Sequence, residues 1–88
     1  MDKQQFDDGA FNTALGEVFT IRKDEPSRRM TYEVLSTKSG VKVRQLKYLL
    51  SGTRGMSVGE MLSIARALDL DPGQVVEDAA ARAEKISK

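Results

Sequence analysis

The sequence predicts an all-α fold, a compact domain of five helices, and three observations point that way. Apolar residues recur at helical spacing along the whole chain, and no stretch alternates apolar with polar as a half-buried strand does. Glycines, prolines and short polar residues fall between the periodic stretches, where helices stop and start. The chain has 88 residues, of which 40% are hydrophobic and 31% charged. That is enough for one small core, in a chain that is polar but not obviously disordered.

The first helix fits Ala10 to Lys23, with Phe11, Ala14, Leu15, Val18, Ile21 and Arg22 near one face. Asp24 to Arg29 contains Pro26, which disfavours helix at Glu25 and predicts a loop. A short second helix takes Thr31 as its N-cap and runs from Tyr32 to Lys38, with Val34 and Leu35 turned inward and Met30 nearby. Gly40 suits the left-handed position that ends it. The third helix spans Val43 to Leu50, with Leu46, Leu49 and Leu50 apolar and Gly52 as its stop. Ser57, followed three residues later by Glu60, is a capping box for a fourth helix through Met61, Leu62, Ile64, Ala65 and Leu68. The fifth opens with Asp71 as N-cap, Pro72 in the first turn and Gln74 in a capping position. It continues through Val75, Val76, Ala79, Ala80, Ala83 and Ile86. The expected organisation is an N-terminal extension over 1–9, a helical domain over 10–76 and a C-terminal helical extension over 77–88.

Cys, His and Trp are all absent. No thiolate or imidazole metal site and no Cys- or His-dependent nucleophile can be built, and nothing can be stapled by disulfides. The first residues show no basic start followed by an apolar run, so no signal peptide is expected, and no stretch approaches the roughly 20 apolar residues of a membrane span. A cofactor-free cytoplasmic protein that is not an enzyme is the expectation. Asp7 with Asp8 and Asp24 with Glu25 read as solvated charges, not a catalytic pair. Gly52 and Gly55 lack the strand and lysine of a nucleotide loop. The formal net charge of +1, taken alone, argues against a nucleic-acid partner.

Only Ser39, Gly40, Val41 and Lys42 separate the second and third helices. So short a turn makes the third helix cross the second steeply, with its front outward in a shape that fits a major groove about 12 Å wide. Short turns also occur in helical bundles that bind no DNA, and the spacing alone does not choose. The order of residues is more specific. Thr31, Glu33, Leu35, the run Lys38, Ser39, Gly40, Val41, then Leu46, Leu49, Ser51, Gly52, Arg54, Ser57, Leu62, Ile64, Ala65, Ala67, Leu68, Val75 and Val76 stand in one register. From Met30 to Val76 the chain resembles, without a gap, the lambda-repressor-like (XRE) helix-turn-helix family of phage repressors and Cro proteins. Phe11 to Arg22 stands where that family's first helix belongs.

The resemblance implies that the third helix lies in the major groove. Val43, Arg44, Lys47 and Tyr48 then face the bases, with Arg44 suited to a bidentate pair on guanine and Val43 to a thymine methyl. Backbone contacts fall to Lys42 and Gln45 at the flanks, Ser51, Thr53 and Arg54 in the following loop, and Arg28 and Arg29 before the second helix. Tyr32 stands at the family's positioning contact, commonly a glutamine. Lys42 replaces the usual Ser or Thr cap, and the loop Asp24–Arg29 is longer than a tight connection.

Charge by segment agrees with this. Residues 1–26 hold three cations against six anions, a net of −3, and residues 56–88 hold four against six, a net of −2. Residues 27–55 hold seven cations against Glu33 alone, a net of +6. The bland alternative is that these cations form the solvated face of an amphipathic helix.

Val75 and Val76 match the family's core closure. Ala79, Ala80, Ala83 and Ile86 extend beyond it as a stripe of small residues that fits a dimer interface, or else a frayed tail; Phe6 and Phe11 are further candidates for an interface surface. The expected function is sequence-specific binding of a double-stranded DNA operator by a homodimeric transcriptional regulator of the phage or prophage repressor or Cro-like kind. No metal, cofactor or membrane is expected to be involved, no small-molecule ligand is evident, and no ligand-sensing domain is expected at this length. The rival is a protein-interaction module on the same scaffold, such as an antirepressor or an antitoxin.

Overall fold

A computed structural model of the chain describes residues 8–87, and all of its regular structure is helical. The elements are α1 (Asp8–Lys23), α2 (Tyr32–Ser39), α3 (Val43–Leu50), α4 (Val58–Ala67) and α5 (Pro72–Ser87). The all-α, five-helix expectation holds. The proposed extension over 1–9 falls largely outside the described residues, as does Phe6.

Each boundary has a local cause. The Thr31 hydroxyl accepts from the Val34 amide at 3.1 Å and starts α2. Gly40, at φ +79°, ends it and sends its amide to the Ser36 carbonyl. That left-handed conformation costs other L-residues about 1 kcal/mol or more, which is why a glycine stands there. Ser57 and Glu60 form the complete capping box of α4, each side chain accepting from the other residue's amide. The expected second box, on α5, does not form. The Asp71 carboxylate accepts from Gly73, but the Gln74 amide donates to Asp78 one turn on instead of reaching back.

α1 and α5 run antiparallel along each other, held at their edges by Arg82–Glu17 at 2.7 Å and Arg22–Asp78 at 3.8 Å. α2 and α3 pack together, α2 also on α4, and α3 on α1. Phe19, Leu35, Leu46, Leu49, Ile64 and Leu68 fill the centre. Burial of each stabilises the fold by about 2 kcal/mol. Gly16 sets the seat of α3: a Cβ there would lie 2.4 Å from the Leu50 carbonyl oxygen and 3.0 Å from that of Leu49. Only a glycine lets α1 approach the last turn of α3 so closely.

Several inward-facing expectations are corrected. Val34 is 45% exposed and Ile21 48%, and Val76 is 37% exposed although its neighbour Val75 is buried. On α2 only Leu35 is buried, and on α1 the buried face holds Ala14, Leu15, Val18 and Phe19 but not Ile21. On α5 the buried stripe is Val75, Ala79 and Ala83, at i, i+4 and i+8, which leaves Val76 about 100° away. Ala79 and Ala83 are therefore core residues of one chain, packed against α1, and not a free dimer surface; Ala80 is half-buried and Ile86 exposed. Phe11 packs against the core, and Leu62 is only half-buried.

Candidate nucleic-acid interface

α3 is divided lengthwise. Leu46, Leu49 and Leu50 face the core, while Lys42, Arg44, Gln45, Lys47 and Tyr48 are exposed and Val43 is half-buried. Positions 43, 44, 47 and 48 share one face because residues four apart stack on successive turns. The helix starts without a side-chain cap: Lys42 has extended backbone and makes no capping hydrogen bond. Beneath the turn, Val41 is buried and its amide donates to the Ser39 hydroxyl at 3.1 Å. The turn is thereby plugged into the core, which fixes α3 relative to α2.

Around this face the flanking side chains divide into free and engaged. Arg44 and Arg29 are exposed, and neither side chain makes a hydrogen bond or ion pair with the described residues. Arg29 holds a left-handed backbone at φ +44°, unusual outside glycine and asparagine. Arg28, expected at a phosphate, is engaged within the fold in this structure. Its Nε donates to the Leu68 carbonyl at 2.9 Å and its guanidinium pairs with Glu25, so it ties the α1–α2 loop to the end of α4. Ser51 and Thr53 form a short relay. Ser51 Oγ donates to the Tyr48 carbonyl at 3.0 Å and stands 2.7 Å from Thr53 Oγ1, so its single proton is committed and Thr53 is the donor between them. Neither hydroxyl is a free donor in this state.

Arg54 is half exposed and donates to the Glu60 carboxylate at 2.9 Å and to the Gly55 carbonyl. Glu60 is held below its ordinary pKa of 4.5, first by the Ser57 amide that donates to it and then by Arg54. The α4 capping box thus doubles as the anchor that aims Arg54 from the loop after α3. Tyr32, the first residue of α2, is half-buried, and its ring centroid lies 5.8 Å from the Lys47 ammonium. Among the described residues no cluster of acidic residues could hold a metal ion.

One exposed cationic helix, seated on two others through a plugged glycine turn, is the shape of a groove reader. A family model described as the Cro/C1-type HTH DNA-binding domain matches residues 27–80. The chain belongs to this family. The match spans α2, α3 and α4 whole and runs into α5, so it takes in the helix-turn-helix and its support. No curated protein and no solved structure matches the chain. The Cro/C1-type domain makes the protein DNA-binding and places it among transcriptional regulators. No helix among the described residues is long and apolar enough to cross a membrane.

Within this Cro/C1-type domain the structure gathers Val43, Arg44, Lys47 and Tyr48 on one face, with Lys42 and Gln45 beside them. Arg28 is engaged with Glu25 and the Leu68 carbonyl instead of standing free beside them. Lys23 was missed in the sequence. It is only 7% exposed, the sole buried charged residue among those described, and sits behind Tyr32. The one signal was its place in the last turn of α1, where a lysine is ordinary. Gly16 had a visible signal, a glycine inside an apolar helical stretch, which often marks close packing.

Proposed function

We propose that the protein is a sequence-specific transcriptional regulator of the phage or prophage repressor or Cro-like kind, which reads an operator with α3 in the major groove. One observation carries this reading. Arg44 stands exposed on the outer face of α3 with no partner among the described residues, beside Val43, Lys47 and Tyr48. A guanidinium so placed matches guanine O6 and N7, the commonest specific contact in the major groove. Lys42, Gln45 and Arg29 supply the backbone contacts directly. Arg54 contributes while anchored on Glu60, and Ser51 and Thr53 join once their relay reorients.

The protein acts as a homodimer on a pseudo-palindrome with half-sites roughly 34–36 Å apart. The α1–α5 groove offers the surface, with Ile21 and Ile86 exposed along it. A mobility shift with DNA flanking its own gene, repeated across salt, tests the reading. With three cations of each protomer (Arg29, Lys42 and Arg54) on phosphates, six in the dimer, the slope of log affinity against log salt is expected at about −5. A folded protein that binds no DNA, or binds it without salt dependence, would favour the protein-interaction alternative.

A further inference from the structure

Lys23 ends α1 with its side chain almost wholly out of water. A buried ammonium is unfavourable unless partners replace its hydration. It has three: the Asp24 carboxylate at 2.6 Å, the Met30 carbonyl at 3.4 Å and the Tyr32 ring, whose centroid is 4.7 Å away. Asp24 is 60% exposed, so the pair could form at the surface without burying the lysine at all. The Tyr32 ring lies over the ammonium on another side. The same ring lies 5.8 Å from the ammonium of Lys47, on the exposed face of α3. One aromatic ring therefore meets a cation from the end of α1 and another from the middle of α3. Two bare ammonium groups around one ring would repel, but Asp24 neutralises Lys23 and leaves the ring able to attract Lys47.

We infer that Lys23 is a positioning residue for the DNA-binding face: it holds the Tyr32 ring, and the ring holds the Lys47 ammonium toward the nucleic acid. This rests on the DNA-binding reading above. The physical gain is preorganisation. A lysine loses rotamer freedom when it binds, and a ring that already restricts Lys47 lowers that loss. The role does not need Lys23 to touch DNA, and its burial prevents that.

The test uses the full chain and four variants: Lys23→Met, Lys23→Arg, Tyr32→Leu, and Lys23→Met combined with Tyr32→Leu. Binding is read by fluorescence anisotropy with a labelled mixed-sequence duplex of about 20 base pairs at low salt, where phosphate contacts dominate. The position of Lys47 is read without DNA, from the NMR shift of its ε-methylene group, which the ring moves upfield. In Lys23→Met that shift is expected to relax toward free lysine and affinity to fall about three- to fivefold. Lys23→Arg is expected to restore both, because a guanidinium stacks on tyrosine and keeps the Asp24 and Met30 partners. Adding Lys23→Met to Tyr32→Leu is expected to cost nothing further. An unchanged Lys47 shift in folded Lys23→Met, or an additive loss in the double variant, would overturn the inference and leave Lys23 as support for the fold alone. Failure of the unaltered protein to bind the duplex would overturn the DNA reading itself, and the Lys47 shift would then show separately whether the ring is held.

Discussion

Arg44 and Gly16 show how a single residue sets function from opposite sides of α3. Arg44 makes no side-chain hydrogen bond or ion pair with the described residues, so removing its side chain chiefly affects what it binds. Arg44→Ala is expected to leave the melting temperature unchanged, to weaken operator binding by about 1–3 kcal/mol and to relax base preference at one position, read by binding to single-base operator variants. Gly16 never reaches the surface that binds. Replacing a helical glycine by alanine ordinarily stabilises by about 1 kcal/mol. Here the added Cβ would meet the Leu50 carbonyl at 2.4 Å, a backbone atom that cannot swing aside. Overpacking of that kind costs about 1–3 kcal/mol, so Gly16→Ala is expected to lower the melting temperature, and a rise would show that α1 and α3 part easily. Gly16 was legible as an oddity in its helix. Its partner was not, because Leu50 lies across the fold and no local pattern names it.

At the scale of the element, α2, α3 and α4 were legible almost to the residue because their signals are local. Thr31, Gly40, Ser57 and Glu60 each act on amides or torsions within four positions of themselves. α3 lacks such a cap and carries a cation at the end where the helix dipole is positive, which is mildly unfavourable. Lys42→Thr is expected to raise stability by about 1 kcal/mol in thermal unfolding. The same change is expected to reduce the magnitude of the salt slope by about 1 for each protomer bound, since one phosphate contact goes with each lysine. A variant that gains stability and keeps its slope would remove Lys42 from the interface. The α4 box carries a pH signature. Glu60 titrates lower in the folded chain than unfolded, so its contribution is fully present above the ordinary value of 4.5 and fades as pH falls through the lowered one. Acid unfolding of Glu60→Gln should therefore be shallower than that of the unaltered protein over that window, and identical acid limbs would show that the Ser57 and Arg54 contacts are idle.

For the whole molecule, a net charge of +1 conceals a strongly cationic middle between two acidic ends. The ends bring their anions to α1 and α5, where Glu17 pairs with Arg82 and Asp78 with Arg22 across the helices on the side of the fold that holds the α1–α5 groove. That groove is where the proposed dimer is to be tested. Shortening the chain after Glu77 is no clean probe, because it removes Ala79 and Ala83 from the core. Ile86 is 42% exposed, so Ile86→Asp spares the fold. It is expected to shift the protein toward monomer in sedimentation and to weaken operator binding. An unchanged mass distribution would remove Ile86 from any interface.

By itself the sequence determined the helices, the caps of α2 and α4, the glycine turn between α2 and α3, and the cationic segment that the Cro/C1-type domain carries. All of these depend on neighbours within a turn or two, or on plain counts of charge. Only the tertiary structure decided which residues on those helices are free to act. It drew Arg28 to the Leu68 carbonyl, 40 positions away, and Arg82 to Glu17, 65 positions away. It buried Ala79 and Ala83 and left Val34 and Val76 in water, and it placed Lys23 behind Tyr32. The reason is physical: whether a side chain is spent on the fold depends on what packing brings within about 4 Å of it, and that distance is set by the whole chain at once.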